Sequence, residues 1–267
     1  EARLHMLLAE QAALHQETLA ALAAARAEAE AAQQVRAAFL GVMSHELRTP
    51  LASIIGYGEL IQRDLQQGMH EQIDHDVDRI LAASSHLLSL INQVLELGDL
   101  EQQRVDYRYR DVDLFLLVHT LLERLQPLAQ QNGNTIRMLL DESAYRVRTD
   151  PEKLEKIVYH ILHNAVKFTS HGSISIRASA MGAWLCVYIT DTGMGIDQEQ
   201  LAHLFDAFTI GDASSTRSYG GAGIGLALSY RLCQLLHGQI EVASQPGSGS
   251  TFTIRIPRSP SATMPTR

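Results

Sequence analysis

His45 and Glu46 put an imidazole beside a carboxylate, Thr49 adds a hydroxyl, and Pro50 follows at once. At helical spacing Thr49 projects from the same side as His45. Met43 and Leu47 point largely the other way, which leaves the imidazole exposed. Pro50 has no N–H, so the Glu46 carbonyl loses its helical partner and the helix is expected to bend there. A lone histidine on a helix is ordinarily a surface residue, and the remaining histidines read that way; His45 stands out by its neighbours.

Further stretches able to do chemistry lie in the second half. His160, Asn164 and Lys167 fall along one edge of a helix expected from Asp150 to Phe168. An amide oxygen there is a hard ligand suited to Mg²⁺, and a lysine suits phosphate. Asp191-Thr192-Gly193-Met194-Gly195 leaves the end of an apolar strand, where a carboxylate can accept from a ligand's amino group and glycines permit close approach. Gly220-Gly221-Ala222-Gly223-Ile224-Gly225-Leu226 opens a helix, and bare amides at a helix N-terminus form an anion site. It is neither a Walker loop nor a dinucleotide fingerprint, because the lysine and the glycine spacing are wrong. The polar segment Asp206 to Tyr219 has the composition of a movable lid. Gly247-Ser248-Gly249-Ser250 reads as a hairpin loop.

The elements that must position these residues differ between the two halves. Residues 1–38 hold no Gly or Pro, and a weak heptad seam runs from Leu4 and Leu7 to Phe39 and Val42, as in a parallel two-stranded helix. After Pro50 the apolar pattern resumes to Leu65, Gln66-Gln67-Gly68 offers a turn, and a second helix carries Ile73 to Leu97. Such a hairpin cannot cover its own stripe; two copies in a four-helix bundle would. Gly98-Asp99 loosens the pattern. Val105, Tyr107 and Tyr109 then alternate like a strand, and Asp113 caps a helix. Ile136 and Met138 suggest another strand, and Asp150-Pro151 starts a helix strongly. Paired runs at Ile174–Ala178 and Leu185–Ile189, turning at Met181-Gly182, and at Ile240–Val242 and Phe252–Ile256 complete an α/β sandwich. Its mixed sheet is expected to be covered by helices on one face and open on the other.

The chain has 267 residues, 46% hydrophobic and 19% charged, ordinary values for a globular protein of two domains. A net charge of −8 argues against nucleic acid as a partner. Only Cys186 and Cys233 are present, in apolar surroundings, so neither a disulfide framework nor a zinc site is expected. With no apolar run near ~20 residues, no membrane contact by this part and a cytoplasmic setting are expected. The start at Glu1 and the Ser/Pro/Thr-rich end read as a piece of a longer protein.

Taken together and in order, these segments resemble the two-component sensor histidine kinases over roughly residues 35–258. Phe39–Leu51 is similar to the phospho-acceptor box of that family, and His160–Thr169 to its asparagine box. Asp191–Gly195 and Gly220–Leu226 are similar to its two main glycine boxes, and Leu204–Phe208 to its phenylalanine box. The resemblance implies residues 1–34 as a signalling coiled coil and 35–102 as a dimerisation and phospho-acceptor domain. It implies 103–258 as an ATP-binding domain and 259–267 as a disordered tail.

The resemblance further implies ATP and Mg²⁺ as cofactors, with Asn164, and His160 beside it, at the metal. Asp191 would meet the adenine amino group. Lys167, Arg217 and the Gly221, Gly223 and Gly225 amides would meet phosphates, with Phe168, Gly193, Gly195 and Leu226 lining the site. His45 would take the γ-phosphoryl group on Nε2, Glu46 would accept from Nδ1–H, and Thr49 would position water for dephosphorylation of a receiver. A homodimer, a response-regulator receiver domain and an upstream sensor domain are the implied partners. His160 stands where the family usually has asparagine, and Asp206-Ala207 where it has Glu-Pro. The lid resembles those of hybrid kinases. A degenerate kinase serving as phosphatase or dimeric scaffold, and a gyrase- or chaperone-type ATPase, are the competing readings.

Overall fold

The computed structural model describes residues 2–70, 72–101, 107–206 and 223–259. The chain forms two compact units, residues 1–48 and 49–267. The long helix α1 spans Ala2–Gln66 with Pro50 inside it, so proline removes one hydrogen bond without ending the helix. Many of its heptad positions, from Leu4 to Leu14 and from Ala32 to Phe39, have side chains outside the described residues.

Within the second unit, α1 ends at Gln66, and Gly68 with φ +70 makes the turn. Helix α2 (Ile73–Glu101) then returns alongside: Arg79 Nη1 donates to Tyr57 Oη at 2.7 Å, two residues equidistant from Gly68. Leu51, Ile55, Leu81, Leu88 and Leu95 remain 48–61% exposed, an apolar stripe that the single hairpin leaves uncovered. By length and composition alone, α2 is apolar enough to cross a membrane, although Asp74 and Asp76 stand in its first turn. The helix runs through Gly98-Asp99 to Glu101. An isolated glycine costs a helix only ~1 kcal/mol, and the adjacent Leu97 is 4% exposed.

Beyond α2, strand β1 (Arg110–Asp113) leads into α3 (Leu114–Gln131), with Asp113 accepting from Leu116 N at 3.0 Å as the cap. After β2 (Thr135–Leu140) and a 3₁₀ turn, β3 (Arg146–Thr149) pairs antiparallel with β1 as a separate two-stranded sheet. The strand expected over Val105, Tyr107 and Tyr109 is therefore displaced. Arg110 is already matched to Thr149, and Asp150 is taken up in capping the next helix, so the ladder cannot extend upstream. Tyr107 and Tyr109 stack on each other instead, centroids 5.8 Å apart; Val105 lies outside the described residues.

Helix α4 (Pro151–Phe168) begins at that cap, with proline at its first turn as expected. Its buried stripe is Leu154, Ile157, Val158, Ile161, Leu162, Ala165 and Val166. Each large side chain among these contributes ~1.5–3 kcal/mol by leaving water. On its opposite flank Lys156 Nζ meets both Glu96 carboxylate oxygens at 2.6 and 2.7 Å, so α2 runs beside α4. The five-stranded sheet follows: β4 (Ser173–Met181), β5 (Trp184–Asp191), β6 (Gln239–Gln245) and β7 (Gly249–Pro257) join β2 in the order β2-β4-β5-β7-β6. Among the described residues only the β2–β4 pair is parallel, so the sheet is mixed, as expected. The β4–β5 turn is Gly182-Ala183, one residue later than anticipated, because Met181 is still paired with Trp184. Short α5 (Gln198–Ala202) and α6 (Ile224–Leu235) complete the order, and α4 and α6 pack on one another.

Successive rungs across one face of the sheet are apolar. Ala178, Val187, Ile254 and Ile240 form one, and Ile176, Ile189, Phe252 and Val242 the next. The opposite face carries Ser175, Arg177, Tyr188, Thr190 and Thr251, which is the open, polar side expected from the alternation. Cys186 and Cys233 are free and buried, and burial pushes the Cys233 thiol up to about 12.

The Asp150 cap is a joint as well as a helix start. Its Oδ1 accepts from Lys153 N, and its Oδ2 accepts from Arg108 N at 2.9 Å and Lys153 Nζ at 2.7 Å. Burial pushes its pKa up, but the Lys153 side-chain bond and the two amides outweigh it, and the net shift is downward. Asp150→Ala is expected to cost about 3 kcal/mol, a cap and a buried ion pair lost together. Denaturant melts at neutral pH check this, and the difference should shrink as pH falls through the Asp150 pKa.

Candidate nucleotide site and phospho-acceptor segment

The next rung of the sheet face breaks the apolar rule: Ile174, Asp191, Ser250 and Ser244 stand in register across β4, β5, β7 and β6. Asp191 is only 7% exposed, and burial raises its pKa against the opposing pull of two amide hydrogen bonds. Gly193 N donates at 2.9 Å and Ser250 N at 3.3 Å, and both bonds end on Oδ1. The carboxylate is thereby clamped through its Oδ1 oxygen.

The glycines around it are required by space. A Cβ on Gly193 would meet the Phe168 carbonyl at 2.4 Å, and one on Gly195 (φ +71) would meet the Gln245 carbonyl at 2.1 Å. The Gly247–Ser250 segment does more than turn a hairpin. Gly249 (φ +91) packs so closely on the Asp191 carbonyl that a Cβ there would lie 2.0 Å from it. Gly247 N also donates to Met194 O at 2.7 Å, so this loop braces the Asp191–Gly195 turn.

From α4, Asn164 and Lys167 are partly exposed and Phe168 is exposed, and Met194 N donates to Phe168 O at 3.4 Å, which brings the end of the helix against that turn. Lys167 Nζ lies 5.1 Å over the Phe168 ring. The end of α4 is tied down by Asn134, whose Nδ2 donates to Val166 O at 3.1 Å and Thr169 O at 2.8 Å. Neither Asn134 nor Ser244 is singled out by sequence pattern; for Ser244, a polar residue in a strand run is the available signal.

His160 sits where α4 meets α6. Gly225 lies against it, and a Cβ there would be 3.1 Å from Nδ1. Burial, then the charges of His163, Lys156 and Arg124, lower its pKa to about 4, so the ring is neutral at pH 7. Such a ring is a poor proton acceptor but keeps a lone pair for a ligand. Gly223 (φ +65) caps α6, and Leu226 lies in its first turn. Arg217, Gly221 and the Asp206–Tyr219 lid beyond Asp206 lie outside the described residues. Phe205, ahead of that segment, stacks on Tyr230 with centroids 4.9 Å apart.

No group of three or more His, Cys, Asp or Glu side chains among the described residues could hold a metal unaided. Mg²⁺ takes oxygen ligands, so the Asn164 amide oxygen fits it only with phosphate oxygens and waters completing the shell, and the neutral His160 imidazole fits beside it as a partner of a metal-bound water.

In the first unit, the His45 side chain is 76% exposed and that of Glu46 18% exposed, with Nδ1 3.6 Å from Oε1. The carboxylate thus faces Nδ1, and Nε2 is the ring nitrogen turned from it. In the second unit Thr49 is exposed, and its carbonyl accepts from Ser53 Oγ at 3.2 Å.

Residues 35–103 match the His Kinase A (phospho-acceptor) domain. Residues 149–260 match the histidine kinase-, DNA gyrase B- and HSP90-like ATPase family. The chain belongs to the two-component sensor histidine kinases. Among its relatives, the autoinducer 2 sensor kinase/phosphatase LuxQ of Vibrio vulnificus is 34% identical over 243 residues, covering 87% of this chain but 28% of that protein. The circadian input-output histidine kinase CikA of Synechococcus elongatus is 38% identical over 238 residues, covering 87% of this chain and 31% of the relative. This core therefore spans about a third or less of the curated proteins it matches. Among solved structures, full-length ShkA in complex with AMPPNP aligns with a TM-score of 0.63 at 30% identity, over 82% of this chain and 45% of that one. Acinetobacter baumannii AdeS gives the same TM-score at 24% identity over 80% of this chain and 98% of that one, which speaks for the fold.

His160 makes a pH prediction. Its folded pKa lies below the unfolded ~6.5, so between these values the unfolded chain binds the extra proton and stability falls as pH falls. Full titration to about pH 4 should remove on the order of 3 kcal/mol. His163, lowered by burial and by Lys167, acts in the same direction. Thermal melts from pH 7 to 5 should show the loss, and His160→Asn should reduce it to the part that His163 contributes.

Proposed function

We propose that this kinase core moves the γ-phosphoryl group of ATP to His45 and from there to an aspartate of a receiver domain. The observation that carries the reading is His45 itself: an imidazole 76% exposed on a helix, with Nδ1 facing Glu46 at 3.6 Å. Nε2 attacks phosphorus, the bond from phosphorus to the ADP oxygen breaks, and ADP leaves. The imidazole proton on Nδ1 is shared with Glu46, which offsets the positive charge that forms. A receiver carboxylate oxygen then attacks the same phosphorus, the N–P bond breaks and the neutral ring returns.

On the donor side, Asp191 Oδ2 accepts from the adenine 6-amino group. Lys167, Arg217 and the amides of Gly221, Gly223 and Gly225 meet the phosphates, with Gly193, Gly195, Phe168 and Leu226 lining the site. Asn164, with His160 beside it, would hold Mg²⁺, which would supply neutralisation of charge on the transferring group. The AMPPNP in ShkA supports nucleotide occupancy of this kind of site. Thr49 positions water against the phosphorylated receiver, a reading supported by the kinase/phosphatase naming of LuxQ. The exposed stripe on α1 and α2 supports assembly of two hairpins into a homodimeric four-helix bundle.

With labelled ATP and Mg²⁺, an acid-labile label is expected on the chain and should vanish in His45→Ala and Asn164→Ala. Label that persists without His45 overturns the site; nucleotide binding and phosphatase action without any label would favour a degenerate kinase. Asp191→Asn keeps an acceptor at Oδ1 and removes a buried charge. Its melting temperature should not fall, while ATP binding should weaken at least ~10-fold by calorimetry.

A further inference from the structure

The polar rung contains more hydrogen bonding than Asp191 needs. Ser244 Oγ accepts from Ile196 N at 2.8 Å, contacts Gly249 O at 2.9 Å and contacts Ser250 Oγ at 2.9 Å. A hydroxyl has one proton and two lone pairs. The Gly249 carbonyl can only accept, so the single Ser244 proton goes there. The remaining contact must then run from Ser250 O–H to Ser244 Oγ, which fills both Ser244 lone pairs. Ser250 has spent its proton and presents only lone pairs elsewhere. Register places it directly opposite Asp191, with its own N–H on Oδ1.

We propose that Ser244 is a positioning residue for base selection: by taking the Ser250 proton it keeps Ser250 Oγ an acceptor beside the Asp191 carboxylate. This end of the rung then offers only acceptors. It suits a purine with a 6-amino group, which brings two N–H donors. It opposes a purine with a 6-oxo group, whose oxygen would meet lone pairs. Without the Ser244 oxygen, the Ser250 hydroxyl is free to rotate and donate outward, and the rung loses its polarity. Such a site discriminates strongly because the wrong base leaves polar groups unpaired. Ser244 also joins two segments that the sequence separates, the turn after Gly195 through Ile196 N and the hairpin through Gly249 O. Its loss therefore has a bracing component that the test must separate from selection.

The inference rests on the reading of residues 103–258 as an ATP site. Calorimetry with Mg²⁺ compares ATP and inosine triphosphate on the full chain, for the unsubstituted protein, Ser244→Ala, Ser244→Thr and Ser250→Ala. Ser244→Ala should weaken ATP about tenfold and inosine triphosphate less than about twofold, lowering the ratio. Ser244→Thr, which keeps the hydroxyl, should preserve the ratio. Equal weakening of both nucleotides, or an unchanged ratio, overturns the proposal and leaves Ser244 a brace only. If Ser244→Ala does not fold, Ser250→Ala decides. It spares the Ser244 bonds to Ile196 and Gly249, and should lower the ratio similarly; an unchanged ratio there overturns the proposal. An unsubstituted chain that binds neither nucleotide brings down the ATP reading itself, whereas selective ATP binding unaltered by either substitution brings down this inference alone.

Discussion

A buried carboxylate at the end of an apolar sheet face is the constraint on which the rest of the ATP-binding half depends. Asp191 is 7% exposed, and burial drives its pKa upward. A charge in such a place is costly unless donors meet it. The donors come from its own turn, at Gly193 N, and from a strand that arrives much later in the chain, at Ser250 N. Each donor demands close backbone approach, and each approach demands glycine. Gly249 lets the later strand close on the Asp191 carbonyl, while Gly193 and Gly195 let the turn pass the Phe168 and Gln245 carbonyls.

The same end of the sheet shows how one alternation serves two ends. Along β5 the inward residues Leu185, Val187 and Ile189 build the core, and the next inward position is Asp191. Along β7, Ile256, Ile254 and Phe252 lead to Ser250 in the same way. The period-two pattern is unbroken, and only the chemistry of the inward residue changes. The site is the core's own lattice continued one rung with polar side chains, so it inherits the rigidity of the packed strands.

The α4 helix links this site to the hairpin. One flank fills the core, its C-terminal end presents Lys167 and Phe168 beside the Asp191 turn, and its outer flank reaches Glu96 on α2 through Lys156. His160 lies between these roles, neutral because burial and nearby cations oppose its charge. An asparagine at that position would carry no such penalty.

Much of this was legible in the chain itself. Asp150-Pro151 fixes a helix start by local capping chemistry, the alternating runs fix the strands of the sheet, and the Phe39–Leu51 segment marks His45. These features depend on neighbours within a few residues, where spacing and geometry are nearly the same thing. The strand beside Tyr107 was misplaced because its length is set by its partner β3, which ends where Asp150 is drawn into the α4 cap. The Gly247–Ser250 loop looked like a simple turn, and Ser244 like any strand residue. Their roles arise from a register that brings Ser244, Ser250 and Asp191 into one row. Sequence alone determined which residues are candidates for the chemistry, because their types and spacing are local. Which residues hold them in place only the tertiary structure decided, because a hydrogen bond across strands is set by register and by nothing in either strand alone.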